Sequence, residues 1–285
     1  MKAENSIKWG SIGPAAIWLA ILFIIPLILI FVYSFYDRGP HGELIPAFSL
    51  ENYIRAFDPL YARTLWRSFR IAFISTIICL ILAWPMAWYM ARQSVQAKRW
   101  LLFLVIIPFW TNFLVRTYAW IFILRTEGLM NQILLSAGLI SSPIDILFTE
   151  TAVIIGLVYT YLPFMILPIY VSIEKLDHRI VDAAADLGAN SWQRFTRILV
   201  PLTWPGILAG SILVFVPSIG AFITPDLLGG ARTLMVGNLI HNQYLVARDW
   251  AFGSALAFIL MALILAILML QAWLTSRNNR KGGAA

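Results

Sequence analysis

Charge, cysteine and histidine are all scarce in this chain. Only 12% of its 285 residues are Asp, Glu, Lys or Arg, where a soluble domain carries about a quarter. That deficit, with a hydrophobic fraction of 60%, argues against a water-soluble globule and for a membrane class. Cys79 is the single cysteine and stands in an apolar run. An intramolecular disulfide and a thiolate metal cluster are therefore excluded, and Cys79 reads as a packing residue. His41, His178 and His241 are scattered without metal-ligand spacing. No Gly-x-Ser-x-Gly elbow or comparable nucleophile arrangement appears, and no Gly-x-x-x-x-Gly-Lys-Ser/Thr phosphate loop. The chain is expected to be no enzyme and to hold no cofactor or metal of its own.

What is present is apolar sequence in long runs. A helix needs roughly 20 apolar residues to cross about 30 Å of hydrocarbon. Six stretches qualify: Ile12–Tyr36, Ser68–Ala91, Leu101–Leu124, Thr151–Ile173, Thr203–Thr224 and Phe252–Leu274. The first is too long for a signal-peptide core and lacks a small-residue cleavage site, so it is expected to persist as an anchored helix. Pro26, Pro85, Pro108, Pro163, Pro168 and Pro217 fall inside spans, where kinks rather than breaks are expected. Gly206 and Gly210 form a small-xxx-small pair suited to close helix approach.

The net charge is +7 with a pI near 9.7, yet the charges lie between the apolar runs rather than on one basic face. That pattern fits topology signals beside anionic lipid, not nucleic acid. An even number of spans puts both termini on one side. Twelve Lys and Arg fall on the side of the termini and eight on the other, with Arg116 inside a span. The excess places both termini in the cytoplasm. The expected fold is all-α: a polytopic membrane protein of about six transmembrane helices. Residues 1–67 hold the N-terminal end, the first helix and a long external loop. Residues 68–274 form a core of five helices with a cytoplasmic loop at 174–202, and 275–285 are a cytoplasmic tail.

That cytoplasmic loop is the most polar stretch of the chain. Ala183, Ala184 and Ala185 favour helix, Gly188 breaks the run, and Ser191 can cap a second helix. Trp192, Phe195, Ile198 and Leu199 then recur at helical spacing, with Gln193, Arg194 and Arg197 off the stripe. The reading is helix, glycine turn, helix before Pro201. By periodicity alone it serves equally as an interfacial connector or as a docking element.

Asp182-Ala183-Ala184, three residues, Gly188, nine residues, Ile198, one residue, Val200-Pro201 resembles the EAA loop of ABC importer permeases. Asp182 stands where that pattern has Glu, and Val200 where it has Leu. The resemblance implies the type I (MetI-like) permease fold and a coupling helix seated in a separate ATPase subunit. Asp182, Asp186 and Arg194 would make rim contacts, Ala183 and Ala184 would allow close approach, and Gly188 and Pro201 would shape the turn. It further implies two ATPase copies that bind ATP and Mg, a second homologous permease, a periplasmic solute-binding protein and an inner-membrane location. Ile107–Asn112 with Val115–Tyr118, Val153–Lys175, Pro225–Gly230 and Arg248-Asp249-Trp250 are similar to spermidine/putrescine permeases of the PotB and PotH type. The cargo that resemblance implies is a polyamine. Related permeases carry opines, iron(III) and other small solutes, and a stand-alone secondary carrier is the rival class.

Candidate pathway residues follow from cost and chemistry. Arg116 is the one full charge inside an expected span, so it should face the bundle interior or a wet cavity, or pair with a carboxylate. Asp226, at the external end of the fifth span, suits attraction of a cation or a simple turn cap. Trp110, Tyr118, Tyr159 and Tyr161 offer aromatic faces for ammonium groups, or plain packing surface. Thr111 and Asn112 are polar enough to need partners within an apolar helix.

Overall fold

The computed structural model describes residues 2–40 and 42–282, without the side chains of 2–13, 15, 16, 178 and 274–282. His41 lies outside the described residues, as do the side chains of His178 and of the topology charges Lys2, Lys8, Arg277, Arg280 and Lys281. In chain order the elements are α1 (Lys2–Tyr33), β1 (Asp37–Arg38), β2 (Leu44–Ile45), α2 (Glu51–Ala56), α3 (Pro59–Ala91), α4 (Val95–Ile106), α5 (Phe113–Leu124), α6 (Leu129–Ser136), α7 (Glu150–Glu174), α8 (His178–Asp186), α9 (Ser191–Arg194), α10 (Val200–Ile219), α11 (Val236–Leu245) and α12 (Trp250–Gly282). The only strands among the described residues are β1 and β2, which pair antiparallel with Asp37 opposite Ile45. The all-helical expectation holds.

Among the described residues, four helices are long and apolar enough to cross a membrane: Pro59–Ala91, Glu150–Glu174, Ser191–Ile219 and Trp250–Trp273. The first expected span falls on α1, whose described apolar stretch is Ile17–Tyr33. The third expected span, Leu101–Leu124, is not one helix. Val95–Trp110 and Phe113–Ser136 qualify only as a pair, bent by 92°. The cause is local. Pro108 lacks an N–H and falls in a 3₁₀ turn (Ile107–Trp110), and Asn112 then starts α5 anew by accepting from the Leu114 N–H at 2.8 Å. The other expected prolines, from Pro26 to Pro217, sit inside continuous helices.

The fold divides into two compact units, 1–62 with 239–285, and 63–238. In the first, Asp249 holds the start of α12. Its side chain is fully buried. Oδ1 accepts from the Phe252 N–H at 3.1 Å, and Oδ2 lies 2.8 Å from Arg55 Nη1 and 3.7 Å from Arg38 Nη1. Arg38 also donates to the Ala247 carbonyl at 2.7 Å, and the Arg55 guanidinium lies 4.0 Å from the Phe252 ring centroid. Burial works against the Arg55 charge, but hydrogen bonds to Asp249 and Tyr61 outweigh it and raise its pKa above the usual guanidinium value. Asp249→Ala removes a helix cap and leaves two half-exposed arginines unpaired, so it should cost about 2 kcal/mol. The check is melting temperature in detergent. Asp249→Asn, which keeps the cap acceptor, should lose less, whereas an alanine variant melting with wild type would dismiss the clasp.

The second unit is built on α3, α7 and α10. Cys79, Ala83 and Ala87 of α3 pack with Met165, Ile166 and Ile169 of α7 and with Ile207 and Val214 of α10. Cys79 is fully buried, as expected of a packing residue. Small side chains are needed where α7 meets α10. A Cβ on Gly206 would stand 2.5 Å from the Pro168 carbonyl oxygen, and one on Gly210 would stand 2.8 Å from Met165 Sδ. Both ends of α7 are clasped by ion pairs: Glu150 with Arg67 and Arg70, and Glu174 with Lys98 at 2.8 Å. These pairs are part-exposed, so each contributes about 1 kcal/mol or less.

Candidate functional site

The loop that the sequence singles out folds as two short helices about a glycine. Asp177 caps α8 by accepting from the Arg179 N–H at 3.0 Å. At its far end the Gly188 N–H donates to the Ala185 carbonyl and the Ala189 N–H to the Ala184 carbonyl, both at 2.9 Å. This is a Schellman ending, and Gly188 supplies the left-handed residue it requires at φ +83°. Nothing lies within 4 Å of where a Gly188 Cβ would sit. Backbone conformation, not crowding, explains the glycine.

The second helix starts one residue earlier than its expected cap. Asn190, not Ser191, is the cap, and it exchanges hydrogen bonds with Gln193 at 2.8 and 3.0 Å in a capping box. Ser191 instead accepts from Arg194 at 3.2 Å. The expected apolar stripe is also only half realised. Leu199 is buried and Phe195 and Ile198 are partly buried, but Trp192 is 70% exposed. Residues Phe195–Leu199 wind as a π-helical turn, which shifts the phase of the stripe. That turn passes directly into α10 at Val200, with Pro201 at the permissive first-turn position. Val181 is the one buried residue of α8 whose side chain is described. Asp182, Ala183 and Asp186 are exposed and Ala184 is half-buried, as is Arg194 on α9. Ile180, Leu187 and Trp192 leave a further apolar surface uncovered on this segment.

An aromatic ladder that sequence reasoning missed underlies the π turn. Trp84 and Trp88 of α3 stack at 5.6 Å, Trp84 meets Phe195 edge-on at 4.5 Å, and the Arg92 guanidinium lies 4.2 Å from the Trp88 ring centroid. The signal was available, since residues 84, 88 and 92 are four apart on one helix face.

Arg116 lies in α5 just past the break in the third span. It lines a cavity of about 360 Å³ with Met86, Tyr89, Leu104, Pro108, Tyr159 and Pro163 among its walls. Its Nε is buried without a hydrogen-bond partner, and Phe109 and Phe113 lie 5.6 and 5.9 Å from the guanidinium carbon. The charge therefore borders a cavity. No carboxylate partner accompanies it: among the described residues Arg116 makes no ion pair. An unpaired charge here should be costly. Arg116→Leu should therefore leave the melting temperature unchanged or higher, and a fall of several degrees would reveal a counter-ion.

The other pathway residues are dispersed. Only Tyr159 shares the Arg116 cavity, with its ring edge-on to Trp120 at 5.4 Å. Trp110 is 76% exposed beside the break. Thr111 is not within a helix but donates to the Pro108 carbonyl at 2.7 Å, and Asn112 is the α5 cap. Tyr118 is half-exposed, and Tyr161 donates to the Pro217 carbonyl at 3.4 Å. Asp226 is exposed on a second π turn, Pro225–Gly229, 3.5 Å from the Asn238 amide nitrogen.

Residues 80–280 match the profile of a family described as binding-protein-dependent transport system inner membrane component. That match covers more than half of the chain. The chain belongs to this family. As an inner membrane component it is membrane-embedded, and its relatives are transport permeases rather than enzymes. It is 47% identical over 270 residues to the spermidine/putrescine transport system permease protein PotB of Haemophilus influenzae, covering 93% of this chain and 94% of that one. Against PotB of Escherichia coli K12 it is 46% identical over 264 residues, covering 93% and 96%. A bacterial alginate ABC transporter, solved in complex with an alginate pentasaccharide-bound periplasmic protein, shares the fold. The TM-score is 0.76 at 14% identity, with coverage of 94% and 93%. The expected importer-permease fold is thus confirmed.

Proposed function

We propose that this permease subunit imports a polyamine, spermidine or putrescine, across the bacterial inner membrane, powered by ATP hydrolysed on a separate chain. The observation that carries the cargo assignment is identity of 46–47% across nine tenths of the chain to permeases named for those solutes. Two ATPase copies, a second permease and a periplasmic solute-binding protein complete the machine. Both termini and the 174–202 loop face the cytoplasm. The surface of Asp182, Ala183, Ala184, Asp186 and Arg194, with the uncovered Ile180, Leu187 and Trp192, is the face the ATPase grips. Movement there passes through the π turn at 195–199 into α10, because no loop intervenes. The 92° break at 107–112 gives the third span a hinge for alternating access. Arg116 is read as a gate or structural residue, since a fixed cation repels a polyamine.

Uptake of labelled putrescine and spermidine by whole cells tests the cargo. Deletion in a strain without a redundant system should abolish uptake, and the intact gene should restore it. Unchanged uptake would remove the polyamine assignment and leave the family standing.

A further inference from the structure

We propose that a cavity between the tryptophan ladder and the loop at 190–199 binds the phosphate headgroup of an anionic phospholipid. The cavity has a volume of about 240 Å³, many times the roughly 10–15 Å³ that one water needs. Trp84 and Trp88 of α3, with Arg92 just past its end, face Ser191, Arg194 and Phe195 across it. Its polar inventory is one-sided. The Trp84 indole Nε1–H is buried without an acceptor. Arg92 and Arg194 form no ion pair among the described residues, and no carboxylate lines the space. Indole and guanidinium groups are donors only. Ser191 is the single side-chain hydroxyl, and it already accepts from Arg194. A ligand that satisfies this set must be an acceptor carrying negative charge, and a phosphate ester matches a guanidinium fork closely.

A lipid source follows from where the donors sit. Trp84, Trp88 and Arg92 lie at the end of a membrane-crossing helix that stops at Ala91. Tryptophan rings concentrate at headgroup depth. In the orientation proposed above this is the cytoplasmic end, where basic pockets between transmembrane helices take anionic headgroups. Phe195 belongs to the π turn, so an occupant braces α3 against the joint between the loop and α10. The site rests on the proposed orientation and shares Arg194 with the proposed ATPase face, but it does not depend on the cargo.

The test is native mass spectrometry of the purified full chain, titrated separately with dioctanoyl phosphatidylglycerol, dioctanoyl phosphatidylcholine and inorganic phosphate. One phosphatidylglycerol should be retained in preference to phosphatidylcholine. Arg92→Gln with Arg194→Gln should weaken retention by about tenfold or more, since hydrogen bonds to charged groups are lost. Trp84→Phe keeps an aromatic ring between Trp88 and Phe195 while removing the indole N–H and some ring area, so it should weaken retention by a smaller factor even if the double variant folds poorly. Arg99→Gln with Arg197→Gln removes equal charge from exposed positions and should change nothing. Equal losses in the two double variants, or equal retention of both lipids, would overturn the site. Displacement by inorganic phosphate at matched concentration would assign the cavity to a free anion instead. Release of the lipid by added ATPase subunit would make a carboxylate of that partner the counter-ion and would likewise overturn the lipid assignment.

Discussion

Gly188→Val is expected to abolish solute import while leaving the amount of protein in the membrane unchanged. Gly188 has φ +83°, and its N–H and that of Ala189 close the end of α8. A left-handed conformation costs an ordinary L-residue roughly 1–2 kcal/mol, and a β-branched one more. Nothing lies within 4 Å of the missing Cβ, so crowding at that atom is not the obstacle. The variant's only relief is to rotate the backbone and re-aim α8 relative to α9. That displaces Asp182, Ala183 and Asp186 from the surface on which the ATPase is proposed to act. Import by the variant should fall more than tenfold, measured as initial uptake rate per unit of membrane-inserted protein. Gly188→Asn, which tolerates this conformation better, should retain a substantial part. Equal import by the valine variant and wild type would mean that the turn is only a connector.

Gly206→Leu should have the opposite signature: loss of the folded protein itself. An added Cβ would stand 2.5 Å from the Pro168 carbonyl oxygen and 2.7 Å from Ser172 Cβ. Backbone cannot yield as a flexible side chain does, so α7 and α10 must separate. Overpacking of this kind typically costs about 1–3 kcal/mol even where the neighbours can shift. Here it strikes the helix pair that carries the core with Met165, Ile166 and Ile169. The expected outcome is little monodisperse protein on size exclusion and a melting temperature lowered by many degrees. Gly210→Ala, facing Met165 Sδ at 2.8 Å, should be milder because that side chain is flexible. A well-folded Gly206→Leu variant would contradict close α7–α10 contact.

Hydropathy located the helices well because crossing a bilayer demands length and apolarity, both written plainly in the sequence. It failed at the third span, where Leu101–Leu124 is apolar throughout yet bends sharply. Pro108, Thr111 and Asn112 were visible, but five other span prolines sit inside unbroken helices. What distinguishes the break is Asn112 capping a new helix, a choice made by local hydrogen bonding. The loop at 174–202 was legible as helix, glycine turn, helix. Its π turn was not, because a single extra residue in a helical turn leaves no compositional mark and moves Trp192 off the buried face. Asn190 and Ser191 are both good caps, and only geometry selected the first. Arg116 was found as a cost, an ionised group at membrane depth, but its lack of an ion pair among the described residues depends on tertiary placement. Asp249 appeared within a family-like motif, and its burial against Arg38 and Arg55 joins residues about 200 positions apart. The ladder of Trp84, Trp88 and Arg92 was readable from spacing and was overlooked because tryptophan in a span has an ordinary explanation.

The central claim is that nucleotide turnover on another chain moves solute through this one by way of the 182–201 segment. It is tested most directly by uptake of labelled spermidine into proteoliposomes containing this chain, its companion permease and the ATPase, with binding protein outside. Uptake should require ATP at the face of the loop and should vanish with Gly188→Val. Uptake by this chain alone, driven by an ion gradient and indifferent to ATP, would contradict the account.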